Sequence, residues 1–80
     1  MARHWQTPLG RPIWRPDGPE LSTLADCGRL LLRRFAAGEG GPSLDAAFQA
    51  LIGAAEAARP EDVALAERKV RLFVHARVLL

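Results

Sequence analysis

An α+β domain, in which a short irregular N-terminal β-hairpin packs on three α-helices, is the fold this chain of 80 residues predicts. Three observations predict it. Pro8, Pro12, Pro16 and Pro19 crowd the N-terminal quarter, a density that excludes helix and any central strand but tolerates a bent edge strand. From Thr23 onward apolar residues recur at helical spacing. That pattern is cut twice, at Gly38-Glu39-Gly40-Gly41-Pro42 and at Arg59-Pro60, so three helices follow the hairpin.

Leu9 to Arg15 reads as the first strand, Pro16-Asp17-Gly18 as the turn and Glu20 to Ser22 as a short return strand. Thr23 with Asp26 has the form of a capping pair and opens a helix running to about Ala37. Leu24, Cys27, Leu31 and Phe35 share one face of it, widened by Leu30 and Leu32, while Arg29 and Arg33 lie opposite. Gly38 supplies the left-handed residue that ends it. Ser43 is the expected N-cap of the second helix, Leu44 to about Ala58, whose apolar stripe is Leu44, Phe48, Leu51, Ile52 and Ala55, with Asp45, Gln49 and Glu56 outside it.

Residues 61–80 read at two periods. As a helix they carry apolar residues around most of the wheel, with a polar stripe of Glu67, Arg68, Arg71 and His75. As a strand from Val70 they alternate, with Val70, Leu72, Val74, Ala76, Val78 and Leu80 on one side and Arg71, His75 and Arg77 on the other. Pro60 at a helix start, the early carboxylates Glu61 and Asp62, the alanines and the Glu67/Arg71 pair all favour the helix.

Leu21-Ser22-Thr23-Leu24-Ala25-Asp26, preceded by Trp5 and Pro8, opens a series of matches that continues with Phe35 before the Gly-rich break, Ala46-Ala47-Phe48-Gln49-Ala50-Leu51-Ile52-Gly53, and Ala66-Glu67-Arg68 through Phe73. In these residues the chain resembles the DUF982 family of small bacterial proteins. The resemblance spans nearly the whole chain and implies a hairpin followed by helices. Arg11-Pro12-Ile13-Trp14-Arg15-Pro16 is richer in proline than the family's strand, and Val78-Leu79-Leu80 is unusually apolar. The family is one of unknown function, so the resemblance implies no catalytic or binding residue.

A chain this short makes one small domain, with residues 1–7 expected to be loose, and a core of this size leaves stability marginal without a further contribution. Cys27 is the sole cysteine and has no internal disulfide partner, and Cys and His show no zinc-type spacing. Self-association is the remaining contribution. No segment has the length of a signal peptide's apolar run or approaches the roughly 20 apolar residues of a membrane span, so the expected setting is cytoplasmic, with no membrane partner. The formal charge of +2 is unevenly spread: up to Gly38, Arg3, Arg11, Arg15, Arg29, Arg33 and Arg34 face only Asp17, Glu20 and Asp26.

No residue pattern points to a reaction, a cofactor or a metal. Cys27 lies on an apolar stripe, where burial makes a thiol inert. His75 has no nucleophile paired with it, His4 belongs to the terminus, and Glu61 and Asp62 are explained by their helix start. The Gly38–Gly41 run lacks the Gly-Lys-Ser/Thr ending of a phosphate loop. Two functional expectations remain. The first is a non-enzymatic protein-interaction or regulatory module, a homodimer through the C-terminal helix, with Val70, Phe73, Val74, Arg77 and Leu80 at the interface. The alternative is single-stranded nucleic-acid binding through Arg11, Trp14, Arg15, Arg29 and Arg33, arginines on phosphates and tryptophan on bases.

Overall fold

The computed structural model describes residues 4–15, 18–38 and 40–78, with side chains to residue 76. Five elements follow one another: β1 (Pro8–Ile13), β2 (Leu21–Thr23), α1 (Leu24–Ala36), α2 (Pro42–Ala57) and α3 (Pro60–Val78). This is the α+β arrangement the sequence predicts. The turn residues Pro16 and Asp17 lie outside the described residues.

The two strands pair antiparallel, but irregularly. Pro8 stands opposite Thr23 and Ile13 opposite Leu21, so the stretch of β1 between those pairs has more residues than its partner and bulges away from β2. Leu9 and Ile13 remain buried, whereas Gly10, Arg11 and Pro12 are exposed. Proline fits here because Pro8 begins the strand and Pro12 lies in the bulge. The strand stops at Ile13, leaving Trp14 58% exposed.

α1 begins as its sequence requires. Thr23 Oγ1 accepts from the Asp26 N–H at 3.2 Å, and Asp26 Oδ2 accepts from the N–H groups of Thr23 at 3.1 Å and Ser22 at 2.9 Å, a reciprocal capping box. Gly38, at φ +98°, turns the chain out of α1. Leu24, Cys27, Leu30 and Leu31 are buried as expected. Phe35 is not: at 63% exposure it lies in the last turn of α1, where no described element covers it, and Leu32 is 56% exposed.

α2 starts earlier than the Ser43 cap suggests. Pro42 occupies the first turn, its fixed φ suited to that position, and Gly41 precedes it at φ +108° with no side-chain capping bond. At the other end Ala58 takes the left-handed conformation (φ 55°), its N–H donating to the Ala54 carbonyl at 2.7 Å.

α3 decides between the two periods of the tail. Val63, Ala66, Val70, Phe73 and Val74 are buried, a spacing of three and four, while Leu72 and Ala76, which a strand would place beside Val70 and Val74, are exposed. The strand reading is therefore wrong through Val78. α2 and α3 make the most extensive helix pair, and the alanines at 47, 54, 55 and 66 are fully buried. Residues 4–7, expected to be loose, are tied across the helices: His4 N–H donates to the Ala55 carbonyl (2.9 Å), Ala25 N–H to the Trp5 carbonyl (2.8 Å) and Leu24 N–H to the Thr7 carbonyl (3.1 Å).

Two substitutions test this backbone. Ala58→Gly relieves a left-handed alanine, and Gly53→Ala adds a methyl to a mid-helix position with nothing within 4 Å of it. Each is expected to stabilise the protein by about 0.5–1 kcal/mol, read as a higher denaturation midpoint in urea.

Candidate functional site

The side chains expected at the partner interface are not available for it. Val70 is fully buried, Phe73 2% exposed and Val74 7% exposed, because α3 turns this face onto the core. The side chain of Arg77 and the whole of Leu80 lie outside the described residues. What α3 leaves outward is Leu65 (39% exposed) and Leu72 (63%), with the exposed Arg68 and Lys69 between them in sequence.

The arginine and tryptophan set divides. Arg15, Arg29 and Arg33 line one small polar concavity of about 170 Å³ together with Glu20 and Asp26, and Arg11 and Trp14 are not part of it. Arg29 is ion-paired to Asp26. The Asp26 carboxylate is held below its ordinary range chiefly by the Ser22 N–H, with the Thr23 N–H and Arg29 adding to the effect and partial burial opposing it. Positive charge in this concavity is thus partly neutralised by the capping box itself.

Arg11 belongs instead to a clip between β1 and α3. Its N–H donates to Glu67 Oε1 at 3.2 Å, and its carbonyl accepts from Arg71 Nη2 at 3.5 Å. Arg71 Nη2 also donates to Glu67 Oε2 at 2.8 Å. The bulge approaches closely because Gly10 has no side chain: a Cβ there would lie 3.2 Å from Glu67 Oε1. Burial raises the Glu67 pKa, but the hydrogen bonds from Arg71 and the Arg11 N–H outweigh it and the net shift is downward. The sequence places Glu67 and Arg71 on a polar helix stripe. Their second role, closing an irregular strand, has no signature in local spacing.

A third region, absent from the sequence reading, is apolar and open. Trp5, Ala25, Gly28, Leu32, Phe48 and Ile52 line a groove of about 350 Å³ between α1 and α2, with Arg29 at its margin. Trp5 closes one end by lying on Gly28, where a Cβ would come within 3.2 Å of Trp5 Cζ3. Phe35, three residues beyond Leu32 on α1, is exposed as well. The signal in the sequence was Gly28: a glycine inside a helix marks close approach by another group.

Cys27 is fully buried, and burial pushes its thiol up to about 12, which keeps it protonated and unreactive. His75 is exposed. Among the described residues no three His, Cys, Asp or Glu side chains gather into a metal-holding group, and no helix is long and apolar enough to cross a membrane. No family model, no curated protein and no solved structure matches the chain.

The clip carries a pH dependence. Because the folded Glu67 carboxyl titrates below its ordinary value of 4.5, the unfolded chain takes up the proton first as pH falls, so stability present above 4.5 declines through the lowered folded value. Glu67→Gln is expected to flatten this acid limb in urea titrations between pH 3 and 6. At pH 7 Glu67→Ala should cost about 1–3 kcal/mol, the range for a lost charged hydrogen bond.

Proposed function

We propose that this protein is a non-enzymatic interaction module whose contact surface is the groove between α1 and α2. The observation that carries the reading is the exposure of Leu32 in a groove it shares with Trp5, Phe48 and Ile52, with Phe35 exposed one turn further along α1. A scattered exposed leucine needs no explanation, but large apolar side chains gathered in one concavity mark a binding surface. Leu65 and Leu72 on α3 do not gather in this way: Leu72 lines a recess without Leu65, and Lys69 shares that recess. The groove also has a rigid frame. Trp5 is held from both sides by the backbone bonds of His4 to α2 and of Ala25 to Trp5, so little ordering is needed on contact.

The nucleic-acid reading draws less support, since Arg29 is paired with Asp26, Glu20 shares the concavity with the arginines, and Arg11 and Trp14 lie outside it.

A photo-crosslinking amino acid placed at position 32 or 35, in living cells, tests the surface directly. Both positions are expected to give a discrete adduct, and position 65, exposed but outside the groove, to give none. Absence of an adduct from 32 and 35, or an equal yield from 65, would overturn the reading.

A further inference from the structure

Charge is distributed around the groove with opposite sign on its two margins. On α1, Arg29 lies at the edge of the groove and Arg33 one turn further on, both exposed. On α2, Asp45 precedes Phe48 by three residues and Glu56 follows Ile52 by four, so both acids lie along the outer flank of the residues that line the groove, and both are exposed. Arg33, Asp45 and Glu56 carry no ion pair among the described residues. An apolar floor with one basic and one acidic margin is complementary to itself when turned over.

From this distribution we infer that the occupant of the groove is a second copy of this chain, docked about a twofold axis that runs along the groove. The inference rests on the groove being the contact surface, as proposed above. A twofold axis in that direction places α1 of each copy over α2 of its partner. The basic margin of one copy then meets the acidic margin of the other, and the contact occurs twice. The twofold axis perpendicular to the groove, within the same face, would set basic margin on basic margin and is disfavoured.

Leu32, Phe35, Phe48 and Ile52 form the apolar centre, where binding energy concentrates, and the charged margins select the orientation. α1 and α2 hold the two margins through opposite runs of the chain: α2 begins just after α1 ends, and Trp5 joins the start of α1 to the end of α2 through Ala25 and Ala55. Arg33, toward the end of α1, is therefore level with the first half of α2, where the partner's Asp45 would stand. Arg29, nearer the start, is already paired with Asp26, so the Arg33 and Asp45 pair selects the orientation. A face two helices wide and about 20 Å long is at the small end of specific interfaces, so the dimer expected is a micromolar one.

A charge-swap experiment with the full chain, read by sedimentation equilibrium from about 1 to 500 μM at low salt, tests the inference. Wild type should move from the 8.7 kDa monomer to twice that mass. Leu32→Glu, at a surface position where circular dichroism can verify that the helices persist, should weaken the dimer at least about tenfold. Arg33→Glu and Asp45→Arg should each weaken it several-fold, and an equimolar mixture of these two variants should associate as wild type does, because every opposed pair is then of unlike sign. A wild-type chain that stays monomeric throughout the range overturns the second-copy inference and leaves the groove open to a different protein, whose crosslink at position 32 would have another mass. A dimer unaffected by Leu32→Glu overturns the groove as the contact surface. A mixture no better than its components overturns the proposed axis.

Discussion

The packing of α2 on α3 is the contact on which the rest of this structure depends. The two helices bury four alanines completely, at 47, 54, 55 and 66, and Val70, Phe73 and Val74 of α3 belong to the same core. In a domain of 80 residues this uses much of the available apolar surface. The C-terminal helix, so rich in valine and leucine that it looks like an interface, spends that face internally. α1 meets α2 less extensively, and its outer margin leaves Leu32 and Phe35 uncovered.

The second constraint is the irregular hairpin. A strand containing Pro8 and Pro12 cannot complete a regular ladder with a partner as short as β2. Glu67 and Arg71 take up part of what the ladder leaves undone, binding the N–H and the carbonyl of Arg11. An ion pair on an exposed helix is ordinarily worth little. Here the pair is itself partly buried and also binds two backbone groups of the bulge, so it contributes more than an isolated surface pair does. The hairpin is thereby fastened to α3 at the bulge and to α1 at the capping box, and these two attachments leave the α1/α2 groove free of it.

Much of this was legible in the residues. The Thr23/Asp26 cap, the Gly38 exit, the break at Pro60 and the burial of Cys27 all followed from local chemistry that tertiary structure did not override. The N-terminus of α2 was misjudged because Ser43 is a good cap in isolation, whereas Pro42 is better suited to the first turn and carries the start earlier. The placement of Phe35 failed for a different reason. Helical periodicity tells which residues share a face, but whether another element reaches the last turn depends on lengths and crossings that no periodicity encodes. The same gap explains Val70, Phe73 and Val74: the sequence showed an apolar face and could not show that α2 already occupies it. Trp5 and Gly28 are far apart in sequence, and the ties from His4 to Ala55 and from Ala25 to Trp5 bring them into contact.

The central claim is that the uncovered face of α1 and α2, and not the C-terminal helix, is where this protein meets its partner. Amide chemical shifts followed on dilution of the isotopically labelled chain measure this with no substitution at all. The expected result is concentration-dependent movement confined to residues 28–36 and 45–56, with residues 61–76 unchanged. Movement centred on Leu65 and Leu72, with residues 28–36 and 45–56 unchanged, would contradict it.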